Sequence, residues 1–362
     1  MPAKNFVFLP IVAAVVLVQL FTAASGSAYY LTQLTMAAYY SLLIVGLCVL
    51  MGYAGQISLG HAGFFAIGGY LSAALTVRDL LPWADSPAVR FLDALGCLVH
   101  GQDLYGAQLL TVAPWAAAAA AVLAAALIAL ALGVPVLKLK GHYLAMATLG
   151  FGIIVYRLVL ASEYFGEADG ISGVPGFPLL PGLAVSGDSA GRVANYYVAW
   201  AVLLLAVLLL RHLIDSRPGR ALRAIHGSPE AADAMGVDVA RYKLKVFVLS
   251  AVYAALAGVL MTHYNGGIGP SEAGVMKSVR WVAIVAVGGM AHLWGALTMG
   301  VLLNFLSLRG VFGSYDDAVF ALILIAIMLY APGGIFSLAP GGQWRERLAG
   351  LARRGKSGEA AP

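Results

Sequence analysis

No Asp, Glu, Lys or Arg occurs between Lys4 and Arg78, an uncharged stretch of 73 residues (5–77). A membrane helix needs about 20 mostly apolar residues to cross the hydrocarbon core, so this stretch alone has room for three crossings. Charged residues make up 11% of the chain and hydrophobic ones 61%, against a charged share of about 25% in soluble proteins. A soluble domain could not cover its surface with so few charges. This excludes a soluble enzyme, a secreted disulfide scaffold and a nucleic-acid-binding domain. It predicts an all-α polytopic membrane protein whose partner is the lipid bilayer. The net charge of +5 then bears on which loops face the cytoplasm, not on affinity for an acidic partner. Cys48 falls in an apolar run and Cys97 in a loop, so no disulfide is expected between them.

Apolar runs cover residues 6–24, 36–53, 57–77, 114–137, 142–161, 195–213, 246–264, 281–308 and 318–338. The first follows Lys4 and ends in small residues, the outline of a cleaved signal peptide. Its 19 residues are nevertheless long enough to span, and it is expected to remain as a helix. Lys and Arg concentrate in three connections. These hold Lys138 and Lys140; Arg211, Arg217, Arg220, Arg223, Arg241, Lys243 and Lys245; and Arg345, Arg347, Arg353, Arg354 and Lys356. The positive-inside rule makes them cytoplasmic, with both termini inside. The opposite connections are acidic, with Asp79, Asp85, Asp93 and Asp103, then Glu163, Glu167, Asp169 and Asp188.

Termini on one side require an even number of crossings, so the 28-residue run 281–308 contributes none or two. It is too short for two full helices and long for one. Gly288, Gly289 and Gly295 interrupt it, and a broken or re-entrant pair is expected. The expected architecture is about 8–10 transmembrane helices in a single transmembrane domain, residues 1–362, with a cytoplasmic loop at 214–245 and a basic cytoplasmic tail at 339–362. Tyr29, Tyr30, Trp115, Tyr196, Trp200 and Trp281 fall at ends assigned to the outside and Trp344 follows the last inner end, as an interfacial aromatic belt would.

Residues 350–357 fit the phosphate-cradling pattern G-x4-G-K-[ST] letter for letter. That pattern works between a strand and a helix, whereas here an apolar span precedes it and five residues follow. It is read as solvated basic tail. No catalytic residue, metal site or cofactor is assigned to the chain.

Residues 52–70 are dense in small side chains. At helical spacing Gly55, Ser58, Ala62, Ala66, Gly69 and Ala73 fall on one stripe, the pattern of closely packed membrane helices. Gln56, Ser58 and His61 are polar in an apolar run, which places them at interhelical hydrogen bonds or along a wet path. Gln56, Ser58, Gly60, His61, Gly288 and Gly289 are therefore the translocation-path candidates, with helix packing and interhelical bonding as the alternative. All seventeen acidic residues fall in loops, near span ends or in the tail. That argues against an ion-coupled carrier and leaves a passive channel as the rival to a driven transporter.

The inner loop holds a short helix with both ends specified. Ser228 suits the N-cap, Pro229 the first turn, Glu230 the positive end and Gly236 a left-handed C-cap. It is a solvated surface helix, one lying on anionic lipid, or a rigid element that docks on a soluble partner. Glu230-Ala231-Ala232-x3-Gly236 is similar to the EAA-x3-G coupling loop of permease subunits in ATP-binding-cassette importers. With residues 52–70 and 138–150, the chain resembles the permeases for branched-chain amino acids (the LivH/LivM type, LivM-like, with urea and amide relatives) from about residue 36 to 338.

The resemblance implies a type II importer fold in the inner membrane of a bacterium. It implies a second homologous permease subunit, two cytoplasmic ATP-binding subunits that hold the ATP, and a periplasmic substrate-binding protein, with no nucleic acid. Ser228, Pro229, Glu230, Ala231, Ala232 and Gly236 would then form the ATPase-coupling loop. Residues 169–176 resemble the family's G-x-x-G-x-P loop, but Phe165-Gly166-Glu167-Ala168 stands where Thr-Gly-Gly is usual upstream. Urea, short amides or an aromatic acid therefore stay open as cargo beside branched-chain amino acids. His61 and His292 each sit in a Gly-rich interrupted run, the kind of segment at which transporters tend to bind substrate.

Overall fold

A helix that is apolar on every side belongs either in a protein core or against lipid. In the computed structural model α2 (Tyr29–Ala54) takes the core position, with 19 of its 26 residues buried. The structure describes residues 8–330 apart from 103–107, 138, 140, 181 and 312. Lys4, Asp103, Lys138, Lys140, the end of the last apolar run, Trp344, and the tail with its 350–357 pattern lie outside the described residues.

Around α2 stand α1 (Phe8–Ala24), α3 (His61–Val77), α5 (Pro114–Val136), α6 (His142–Ala161), α7 (Arg192–Asp215), α10 (Val239–Asn265), α11 (Val275–Gly288), α12 (Leu293–Leu308) and α13 (Asp316–Tyr330). Five of these ten apolar helices, α2, α5, α6, α7 and α10, are long and apolar enough to cross a membrane. Three shorter helices, α4 (Pro87–Ala94), α8 (Arg217–Gly227) and α9 (Pro229–Ala234), lie in the connections.

Lipid tails are as apolar as leucine, so helices in a bilayer associate through close packing and interhelical bonds. The α3–α10 contact shows both. A Cβ at Gly68 would stand 2.2 Å from the Ala255 oxygen, and one at Gly258 would stand 2.0 Å from the Phe65 oxygen. The pairs His61–Ser250 and Ser72–His263 bridge the same two helices. Residue numbers rise together along this contact, so α3 and α10 run parallel. α12 runs antiparallel to α2, from Ala291 beside Tyr53 to Leu308 beside Gln33. On α5 the buried residues Ala117, Ala121, Ala125, Ala129 and Gly133 recur every fourth position, while Leu123, Leu127 and Leu130 are exposed.

Among the described residues, three two-stranded antiparallel sheets decorate the bundle: β1 (Leu98–Gln102) with β2 (Gln108–Val112), β3 (Ile171–Ser172) with β6 (Gly267–Ile268), and β4 (Phe177–Leu180) with β5 (Leu183–Val185). Leu98 pairs with Val112 and Ile171 with Ile268; the β4–β5 pair carries an irregularity at Pro178–Leu180. Arg78 Nη2 donates to the carbonyls of Glu163 (3.2 Å) and Tyr164 (2.8 Å), and Trp115 Nε1 donates to Pro178 O at 2.6 Å. The acidic connections thus gather on one face of the bundle. Residues 55–60, α8 and the α11–α12 connection gather on the other.

Several sequence expectations are corrected. The run 57–77 is not one helix: Gly55 (φ +65°) ends α2 in the left-handed conformation, and α3 starts at His61. Gly55 and Ser58 therefore leave the proposed stripe, which begins at Ala62. The broken pair expected in the run 281–308 is present, but its first helix, α11, starts six residues earlier than expected, at Val275. It does so because Lys277 and Arg280, in its first turns, are neutralised by Glu272 (2.9 Å) and Asp316 (3.3 Å). Trp281 and Tyr196 are core residues, each 1% exposed, rather than members of an interfacial belt. Glu272, counted as a loop acid, lies against Tyr40, well inside α2. The loop 214–245 contains α8 besides α9, and α9 has six residues instead of two full turns.

Candidate functional site

The first break in the bundle lies between α2 and α3. The Gln56 N–H turns back to Leu50 O at 3.2 Å, satisfying one of the carbonyls that a helix end leaves open. The backbone then passes against α6, where Leu59 N–H donates to Thr148 Oγ1 at 3.0 Å. A Cβ at Gly60 would stand 2.5 Å from Thr148 O, so only glycine fits there. At the start of α3 the His61 ring bridges two hydroxyls, Nδ1 to Ser58 Oγ at 3.0 Å and Nε2 to Ser250 Oγ of α10 at 2.7 Å. A neutral imidazole has one donor and one acceptor nitrogen, and serine hydroxyls serve either. Ala62 N–H donates to Ser278 Oγ of α11 at 3.0 Å. One helix start is thereby tied to α6, α10 and α11.

Gln56 differs from its neighbours. Its side chain is 2% exposed, and neither its amide oxygen nor its amide nitrogen has a partner among the described residues. An unpaired buried amide costs about 1–3 kcal/mol by mutational measures, so its retention calls for a role.

The second break joins α11 to α12. Gly288 is buried, and a Cβ on it would stand 2.5 Å from Gly295 O. Gly289 adopts φ +98°, turning the chain into residues 290–292. Cys48 Sγ donates to Met290 O at 3.3 Å and Tyr53 Oη to Ala291 O at 2.9 Å. The end of α2 thus holds this connection on the face that also carries the first break. Beside the second break, toward α7 and α8, opens a cavity of about 290 Å³ lined by Tyr53, Arg211, Asp215, Arg223, His292 and Trp294, among others.

On the same face α8 packs its buried residues Gly219, Leu222 and Ile225 against the bundle, touching α2 and α7. A Cβ at Gly55 would lie 3.2 Å from His226 Nδ1, so α8 sits at the first break. α9 follows. Ser228 Oγ accepts from Ala231 N–H at 3.2 Å, Pro229 occupies the first turn, and Glu230 lies in it. Ala232 is buried toward the body, while Ala231, Asp233, Ala234 and Met235 face outward, Met235 at 84% exposure. Ala232, one of the residues assigned to the coupling loop, is therefore turned away from any docking partner. Gly236 follows with φ +83° and open space where a Cβ would be.

The structure thus brings Gln56, Ser58, Gly60 and His61 to one break and Gly288 and Gly289 to another, on the face that carries residues 228–236. It also brings in Thr148, Ser250 and Ser278, which the sequence reading missed. Each is distant in sequence from its partner, and local pattern carries no sign of that pairing.

A bundle of long apolar helices with two broken segments near one face is the architecture of a membrane permease. Residues 29–330 match the family described as "Branched-chain amino acid transport system / permease component", and the chain belongs to it. It is 30% identical over 325 residues to the permease protein LivM of Escherichia coli strain K12, covering 84% of this chain and 69% of that protein. It is 28% identical over 320 residues to LivH of the same organism, covering 85% and 95%. BraD of Pseudomonas aeruginosa is 26% identical over 322 residues, covering 85% and 95%. These three are named as permease proteins of high-affinity branched-chain amino acid transport systems. No solved structure gives a significant match.

Proposed function

We propose that this permease moves branched-chain amino acids inward across the inner membrane of a bacterium as one of two homologous permease subunits. Two cytoplasmic ATP-binding subunits drive it and a periplasmic binding protein delivers the cargo. The chain itself binds no ATP and needs no cofactor. Similarity to LivM and LivH along most of the chain carries the cargo reading. Orientation follows from the basic α7–α10 connection and the acidic strand-bearing face: α8 and α9 face the cytoplasm, as do both termini.

Ser228, Pro229, Glu230, Ala231 and Gly236 form the contact with an ATP-binding subunit, and the buried Ala232 seats α9 on the body of the permease. Support comes from the capped geometry of α9 and the outward face of Ala231 and Met235. α8 links that contact to the end of α2, where both breaks are held. Gln56, Ser58, Gly60, His61, Gly288 and Gly289 form the inner part of the path. Gln56 carries the unpaired amide that faces the passing solute, and Ser58 and His61 hold the break in shape.

The test is reconstitution of the complete importer in vesicles, following uptake of radiolabelled leucine, isoleucine and valine. Uptake that needs both ATP and the binding protein is expected. Flux without ATP would make the protein a channel, and uptake of urea or an amide in place of leucine would replace the cargo.

A further inference from the structure

Glu272 and Lys277 form an ion pair where membrane helices rarely tolerate one. Lys277 Nζ donates to Glu272 Oε1 at 2.9 Å, and the Tyr40 hydroxyl reaches both carboxylate oxygens at 3.2 Å. Tyr40 lies eleven residues beyond Tyr29, the first residue of α2, which is about 16 Å along the axis at 1.5 Å per residue. The connection 266–274 therefore dips from the strand-bearing face to the depth of the bundle, and α11 starts there. The Lys277 ammonium also sits 5.1 Å from the centre of the Tyr40 ring.

Such a pair is weak evidence for stability, since removing two charges from water costs about what their attraction returns. In a membrane protein it marks a pathway or a ligand contact first. The pair is not sealed: the Glu272 and Lys277 side chains are 20% and 29% exposed. Ser271, Gly274, Met276, Lys277 and Arg280 line a cavity of about 170 Å³ beside it. That is room for the volume of several waters at about 30 Å³ each. The neighbouring α11 face is apolar and uncovered, with Met276 at 65% exposure, where a second permease subunit would close the site.

We infer that the Glu272–Lys277 pair is a binding site for the two charged groups of a zwitterionic α-amino acid on its way through the permease. This rests on the import reading above. The entering α-carboxylate takes Lys277 and the α-ammonium takes Glu272, so two ion pairs replace one. No charge is left alone at any stage, which matters because an unpaired buried charge is what makes a broken pair expensive. Tyr40 keeps the Glu272 carboxylate oriented during the exchange. The site distinguishes charge, not side chain, and leaves selection among amino acids to other contacts.

The test uses the complete importer in vesicles, with binding protein, ATP and radiolabelled leucine as probe. Glu272→Gln and Lys277→Met are expected to cut uptake at least tenfold while the ATP-binding subunits still copurify. A second measurement leaves the pair intact. With Cys48→Ser and Cys97→Ala as background, Ser271→Cys should react with a cationic methanethiosulfonate. Leucine-loaded binding protein with ATP should slow that reaction several-fold more than unloaded binding protein with ATP. Wild-type uptake in either charge variant, or a thiol reaction that leucine does not slow, overturns the inference. A variant that fails to assemble leaves the decision to the thiol reaction. A wild type that moves an aromatic amino acid but not leucine sinks the branched-chain cargo alone, and the variants are then read with that acid. A wild type that moves no amino acid sinks both.

Discussion

Gly52 on α2 backs directly onto the carbonyl of Met290: a Cβ there would stand 1.7 Å from that oxygen. The contact is backbone against backbone, so no side chain is free to swing away. Together with the bonds from Cys48 and Tyr53 to the same connection, it fixes the α11–α12 break to the end of the most buried helix in the bundle.

Gly52→Ala is therefore expected to force α2 and residues 289–292 apart. Overpacking of this kind costs about 1–3 kcal/mol and sometimes more. Gly150 makes the control, because it too is helical but a Cβ on it meets nothing within 4 Å. Gly150→Ala should stay within about 0.5 kcal/mol of wild type. Unfolding of the detergent-solubilised complex measures both, and equal midpoints for the two variants would show that the break is not clamped.

The His61–Ser250 bond predicts a coupling energy. It joins the start of α3 to α10 at 2.7 Å, with both residues 1% exposed. Interhelical hydrogen bonds in membrane proteins average about 0.6 kcal/mol in double-mutant cycles, with a maximum near 1.7. His61→Phe, Ser250→Ala and the double variant should show coupling in that range by unfolding. Additive single effects would mean that the bond contributes nothing beyond packing.

The helical bundle was legible because a chain in lipid must satisfy its backbone within each segment, which makes spans continuous and apolar. α2 and α10 are such segments. What local pattern cannot show is compensation between distant groups. Lys277 and Arg280 read as loop residues until Glu272 and Asp316 neutralise them, and that misplaced both the start of α11 and the role of Trp281. Ser250 has its partner 189 residues away, and nothing near it in sequence marks the bond. α8 is a different kind of omission. Its buried Gly219, Leu222 and Ile225 recur every third residue, a helical period that the run of arginines obscured.

Orientation makes the next prediction. With Cys97 replaced, a cysteine introduced at Asp188, on the strand-bearing face, should react with an impermeant thiol reagent in intact cells. One introduced at Arg220, in α8, should react only after the membrane is opened. Labelling of the Arg220 position from outside would invert the assignment and remove α9 from the reach of any cytoplasmic ATPase.

The short helix α9 makes the last. α9 is six residues long, and its cap at Ser228 and the turn at Gly236 specify its two ends. A Cβ at Gly236 meets no atom within 4 Å, so any effect of substitution there comes from the backbone. At φ +83° an ordinary residue carries about 1–2 kcal/mol of strain, while asparagine visits this region more readily. Gly236→Val should therefore relax the turn and shift α9, lowering ATP hydrolysis and leucine uptake together, several-fold, with normal membrane insertion. Gly236→Asn should retain most of both. The comparison separates conformation from bulk, since both side chains project into open space. Equal loss in the two variants would instead mean that a partner surface packs tightly on residue 236, and full activity in both would mean that α9 carries no force.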